Sequence, residues 1–158
     1  MIKETKEKIP KDSYVETREM VLPNDTNLLG NLLGGRLLHL IDIAGAMVAS
    51  KHSNKIVATV SIDNVNFKEP IKLGEIIILR AVLVRVGRSS MDVLVRIYGE
   101  NTMTGKIINT NSAFLTYVAL DDDQKPTLVP RLKITTEEEQ KYFEEANKRK
   151  KKRLETDD

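Results

Sequence analysis

The chain has 158 residues, no cysteine, a hydrophobic share of 41% and a formal net charge of +2. That length suits one domain with a self-sufficient core, and the charge balance argues against a dedicated nucleic-acid binder and against intrinsic disorder. The missing cysteine excludes disulfides, thiolate metal sites and a cysteine nucleophile, leaving His39 and His52 as the only imidazoles.

Residues 1–12 are charged, carry Pro10 and read as a loose lead-in. The stretch lacks an apolar signal core and no apolar run reaches membrane-spanning length, so a cytoplasmic protein without membrane contact is the expectation. The run SYVETREMVL over 13–22 predicts a first strand, ended by Pro23. A polar, turn-forming loop follows and runs into Gly34 and Gly35. From about 35 to 51, Leu37, Leu40, Ile41, Ala44 and Val48 keep the helical period, while Leu38, Ala46 and Ala49 widen the apolar surface. A helix so apolar on most sides belongs in the interior, wrapped by a sheet.

The run IVATVSIDNVNF over 56–67 alternates Val57, Thr59, Ser61 and Asp63 against Ala58, Val60 and Ile62, which predicts a strand. After a turn at Pro70 and Gly74, the segments 75–87, 90–101 and 106–120 predict three long strands in an antiparallel meander. Residues 121–130 read as a polar loop with prolines. Thr135 or Thr136 before Glu137–Glu139 then starts an amphipathic helix running towards Leu154. The expected division is a lead-in over 1–12, a main domain over 13–134, and a C-terminal helix with charged tail over 135–158. The fold class is α+β: a long central helix wrapped by a curved antiparallel sheet of five or six strands, plus a C-terminal helix. One sheet around one helix leaves an edge strand and apolar surface, so dimerisation through sheet continuation is expected.

Asp42 interrupts the most apolar helix of the chain. It either lies on a narrow polar seam with His39, facing water, or it is a paired or functional carboxylate. Partial burial raises the pKa of a carboxylate and makes it a better base near neutrality. Asn27 is one of several turn formers in its loop and signals nothing alone. Gly34 and Gly35 either make a flexible helix entry or let a ligand approach bare backbone N–H groups at the positive helix end, where an oxyanion could be held.

Three blocks in register, LPNDTNLLGNLLGGRLLHLID (22–42), TVSIDNVNFKEPIKLGE (59–75) and GRSSMDVLVRI (87–97), with PTLVPRL (126–132), resemble the hotdog-fold acyl-CoA thioesterases. The nearest groups by that resemblance are the bacterial YciA-type and animal cytosolic (brain-type) acyl-CoA hydrolases. It implies hydrolysis of acyl-CoA to a carboxylic acid and CoA. Asp42 would be the general base, or a nucleophile, and Asn27 would position water or substrate across a dimer interface. The Gly35 backbone N–H would serve as oxyanion donor. It also implies a homodimer at minimum, or a hexamer built as a trimer of dimers. No cofactor or metal is expected, since coenzyme A is part of the substrate. Family members carry His or Phe just before the glycine pair where this chain has Leu33, which cannot donate a hydrogen bond.

By the same resemblance, the turn Gly87, Arg88, Ser89 and Ser90 is the candidate CoA contact, with Arg88 facing a phosphate; read by itself it is a hairpin turn with solvated polar residues. Lys68 is a weaker candidate of the same kind, and Asp63 can be a plain strand residue. The basic run KRKKKR over 148–153 reads as a solvated helix end, or as an attractor for a CoA phosphate or nucleic acid; no specific nucleic-acid partner is expected. The alternative to an enzyme is a non-catalytic acyl-CoA or nucleotide-binding protein on the same scaffold.

Overall fold

The structure, a computed structural model, describes residues 6–63 and 68–156. In chain order its elements are β1 (Glu7–Lys8), β2 (Val15–Met20), α1 (Gly34–Ser53), β3 (Ile56–Asp63), β4 (Ile76–Val86), β5 (Ser90–Glu100), β6 (Ile107–Leu120), β7 (Arg131–Leu132) and α2 (Glu137–Thr156). The last part of the strand expected over 56–67, residues 64–67, lies outside the described residues, as do 1–5 and 157–158.

Five strands form one antiparallel sheet in the order β2-β4-β5-β6-β3. The meander β4-β5-β6 is the one expected. β3, which follows α1 in sequence, crosses to the far side and pairs with β6, so β2 and β3 are the two edges. Register shifts in β3, β4 and against β6 add residues to one strand of a pair, which bends the sheet. The concave face closes on α1: Leu37, Ile41, Ala44, Val48 and Ala49 of the helix meet Leu79, Ala81, Leu83, Met91, Val93, Val95, Ala113, Leu115 and Tyr117, all buried. Side chains of opposite parity, Val84, Leu94 and Phe114, face the other way and are covered by Ala146 and Tyr142 of α2. Thus the long helix expected in the core is there, and the C-terminal helix packs outside the sheet.

Residues 7–12 differ from the loose lead-in expected of them. Glu7 and Lys8 pair in parallel with Arg131 and Leu132, and Pro10 is buried in a short 3-10 turn over Pro10–Asp12. The physical reason is the C-terminus of α1. Its last carbonyls lack helical partners, and the Lys8 ammonium donates to the carbonyls of Lys51 (3.2 Å) and His52 (2.8 Å) and to Asn54 Oδ1 (2.9 Å). Asn54 ends the helix in the left-handed conformation, φ 56°. A cation at a helix C-terminus is favourable on its own, so a short charged segment is anchored by charge where its apolar content would not suffice. His52 is fully buried beside this anchor, and its Nε2–H donates to the Pro130 carbonyl at 2.8 Å. Burial holds its pKa below the ordinary imidazole value despite the Pro130 bond. His52 is therefore a neutral structural residue.

Candidate active site

α1 has no side chain capping its N-terminus: the N-cap position is Leu33, 41% exposed, where helices ordinarily take Ser, Thr, Asp or Asn. The first amides of the helix, those of Gly34 and Gly35, are left open. A Cβ built on Gly35 would meet no atom of the described residues within 4 Å, so none of them requires glycine there by contact. Gly35, His39, Ile43 and Met47 form an exposed stripe down the helix, and Asp42 sits at its margin, half-buried.

Asp42 is not a solvated seam residue. Its Oδ1 accepts hydrogen bonds from Thr59 Oγ1 at 2.9 Å and from the Tyr117 hydroxyl at 3.0 Å, and the same hydroxyl lies 2.8 Å from the Asp42 carbonyl oxygen. Thr59 and Tyr117 are direct cross-strand partners on β3 and β6, so two adjacent strands bring two hydroxyls to one carboxylate oxygen, the Tyr117 proton being shared with the Asp42 carbonyl. No described residue bonds to Oδ2. Burial, reinforced by the Asp42 charge and the hydrogen bond to it, pushes the Tyr117 phenol far up, so it stays a neutral donor across the working pH range.

The placement of Thr59 depends on a bulge. The β3–β6 register steps from Thr59↔Tyr117 to Ser61↔Thr116, leaving Val60 extra. Upstream of it Thr59 faces α1. Downstream Ser61 faces α2, where it accepts from Arg153 Nη1 at 2.6 Å. Arg153 also reaches Thr116 (3.3 Å), which donates to Asp92 (2.6 Å), and Asp92 is paired with Arg85 (3.2 Å). Arg149 stacks on Phe114 with its guanidinium carbon 4.0 Å from the ring centroid. So the basic run is not wholly solvated: Arg149 and Arg153 are fastened to the outer sheet face.

Asn27 is exposed and does not approach Asp42. Its Oδ1 accepts from the backbone N–H of Leu29 (2.9 Å) and Asn31 (3.1 Å), closing the polar loop. That fixes the amide and leaves Nδ2 as the group available to a ligand. Gly35 and Asp42 are seven residues apart, about 10 Å of helical rise, and Asn27 precedes the helix. Within one protomer, no hydrogen bond joins Asn27 to Asp42. Asn27 instead borders a cavity of about 240 Å³ with Asn31, Leu32, Gly34, Leu37, Glu69, Pro70 and Ile71.

The turn at Gly87, Arg88, Ser89 and Ser90 is built by backbone bonds: Gly87 N–H to the Ser90 carbonyl (2.8 Å), Ala119 N–H to Ser89 (3.0 Å) and Val129 N–H to Arg88 (3.0 Å). Arg88 is exposed and forms no ion pair with a described residue. Lys68 is likewise exposed, while Asp63 lies with Asp92, Arg149 and Arg153 on the α2 side of the sheet. Among the described residues no group of three or more His, Asp or Glu side chains gathers to hold a metal. No helix among them is long and apolar enough to cross a membrane.

Sequence reasoning missed Thr59, Tyr117 and Gly45. Thr59 carried one signal, its shared parity with the core-facing Val57. Gly45 carried another, a glycine inside a helix where it costs about 1 kcal/mol relative to alanine.

Comparison with known proteins places these features in context. The family model described as the thioesterase superfamily matches residues 29–106. The chain is 40% identical over 129 residues, 82% of its own length and 75% of the other's, to an uncharacterized acyl-CoA thioester hydrolase of Bacillus subtilis. Its structure superposes on a crystal structure of an apo-hexameric acyl-CoA thioesterase with TM-score 0.92 and 39% identity, covering 96% of this chain and 97% of that one. It also matches a Staphylococcus aureus acyl-CoA hydrolase in complex with butyryl coenzyme A, coenzyme A and coenzyme A disulfide, with TM-score 0.86 and 34% identity over 96% and 94% of the two chains. Solved variants of that hydrolase replace an aspartate, an asparagine and a threonine with alanine.

Proposed function

The chain belongs to the thioesterase superfamily, and from that membership we propose how its residues hydrolyse acyl-CoA to a carboxylic acid and CoA. Asp42 is the general base. Its free Oδ2 takes a proton from water as the water oxygen attacks the thioester carbonyl carbon. The carbonyl π electrons move onto oxygen, and the uncapped Gly35 N–H at the positive end of the other protomer's α1, on the same side as that protomer's Asn27, stabilises the oxyanion. Collapse of the tetrahedral intermediate restores C=O, breaks the C–S bond and expels the CoA thiolate, which recovers the proton from Asp42. The products are the acid and the CoA thiol. Asn27 acts through Nδ2, donating to the water or to the carbonyl oxygen, since its Oδ1 is committed to the loop. Thr59 holds Asp42 in place. The turn at Gly87–Ser90, with exposed Arg88, lies against the CoA phosphates.

The observation that carries this account is the Asp42 carboxylate: half-buried, restrained at Oδ1 by Thr59 and Tyr117, and open at Oδ2 in the middle of the most apolar helix. A solvated aspartate needs no such restraint.

The protein works as a homodimer at minimum. β3 is a sheet edge with Ile56, Val60 and Ile62 exposed, and Ile43 and Met47 extend that apolar surface along α1. Pairing two copies there turns Asn27 of one protomer towards Asp42 of its partner, which explains why one chain keeps them apart. A similar thioesterase is hexameric, and a trimer of such dimers extends the same logic here. A cytoplasmic location completes this account and rests on the sequence alone.

The test is complementation. Asn27→Ala and Asp42→Ala are each expected to be inactive in thiol release from an acyl-CoA panel of C2 to C16. Co-refolded in equal amounts, they form heterodimers in which one of two sites is intact, restoring about a quarter of wild-type activity. Absence of any recovery, with dimers formed, would remove the shared site. A folded wild type inert on the whole panel would make the protein a binder rather than a hydrolase.

A further inference from the structure

We infer that Tyr117 is a positioning residue for the reaction, and that Gly45 exists to admit it. This rests on Asp42 being the base, and it concerns how that base is held. Among the described residues Tyr117 is the largest fully buried side chain, standing on β6 in the floor beneath α1. Its hydroxyl passes between two turns of the helix to reach both the backbone carbonyl and the side-chain Oδ1 of Asp42. That approach is possible because the residue one turn on, Gly45, has no side chain. A Cβ there would collide with the Tyr117 hydroxyl and stand 3.0 Å from two ring carbons.

A Gly in a helix interior lowers helix stability, and a phenol buried without need is replaced by phenylalanine at no packing loss. The two features are accounted for together. Gly45 opens a slot, Tyr117 fills it, and the hydroxyl ties the base to its own helix turn while Thr59 ties it to β3. With Thr59 on Oδ1 and the one Tyr117 hydroxyl proton shared between Oδ1 and the carbonyl oxygen of the same residue, the side-chain torsions of Asp42 are set and Oδ2 is the oxygen presented to water. Thr59, on an exposed edge strand, restrains the carboxylate from one side only. Preorganisation of a base by a second layer of hydrogen bonds acts on turnover more than on substrate binding.

The experiment measures kcat and KM with one acyl-CoA for wild type, Tyr117→Phe, Gly45→Ala and the double variant, beside Asp42→Asn. Tyr117→Phe keeps the ring and is expected to stay folded, lowering kcat about tenfold or more with KM unchanged. Gly45→Ala is expected to lower kcat by displacing the hydroxyl. In the Tyr117→Phe background the same substitution meets no hydroxyl, so its further effect on kcat is smaller, a coupling that mere loss of stability does not produce. Asp42→Asn at full activity would overturn the base itself. Asp42→Asn inert with Tyr117→Phe at wild-type kcat, or with Gly45→Ala equally damaging in both backgrounds, would leave the base standing and overturn the role of Tyr117.

Discussion

Asn27 separates loop stability from catalysis, because its two amide atoms have different work. Oδ1 closes the loop through the N–H groups of Leu29 and Asn31, and Nδ2 is the donor the proposed mechanism assigns to the ligand. Asn27→Ala removes both. Two neutral hydrogen bonds in an exposed loop contribute about 0.5–1 kcal/mol each, so the loss is about 1–2 kcal/mol, or roughly 3–6 °C in Tm for a chain of this size. Asn27→Asp keeps an acceptor in the same place and adds a negative charge near the positive end of α1, so Tm is expected to change by about a degree or less. Both variants lose the donor, and removal of one donor aimed at a developing charge costs about a hundredfold or more in kcat. Thermal melts and thiol-release kinetics on the three proteins decide it. Wild-type kcat in Asn27→Asp would refute the donor role; equal Tm losses in the two variants would refute the account of the loop.

His52 predicts a pH effect on stability. Its folded pKa lies below the ordinary 6.5 because burial disfavours the cation, so the unfolded chain binds the extra proton first and stability falls as pH drops below about 6.5. Melts from pH 8 to pH 5 are expected to fall more steeply for wild type than for His52→Gln; parallel curves would contradict it. At the turn between β4 and β5, Arg88→Ala is expected to raise KM for acyl-CoA several-fold, by about 1 kcal/mol of charge-assisted contact, with kcat unchanged. An unchanged KM would leave Arg88 a solvated turn residue.

The elements were legible in the sequence because their periods are strong. Leu37, Ile41, Ala44 and Val48 mark the buried face of α1, and all four are buried. Local patterns do not encode which strands pair, so the crossing of β3 to the far edge could not be read from 56–63. The parallel pairing of β1 with β7 escaped for a similar reason: two residues carry no period, and Lys8 is held by the carbonyls at the end of a helix more than forty positions away. Asp42 stood out as a charge among apolar residues. Tyr117 did not, since a tyrosine in a long strand is ordinary, and its meaning depends on Gly45 lying opposite it in space.

The extra residue at Val60 has a practical consequence for anyone altering this protein. It makes β3 a strand with a phase change: Val57 and Thr59 address one layer, Ser61 and Asp63 the other. Two demands that ordinarily compete for the same alternating positions are thereby laid end to end. Randomising positions downstream of the bulge redraws the outer packing and leaves the neighbour of the carboxylate untouched. Deleting a residue downstream of the bulge, at Ser61 or beyond, moves every later side chain of the strand to the other layer. Substitutions in this short segment are therefore far safer than changes in its length.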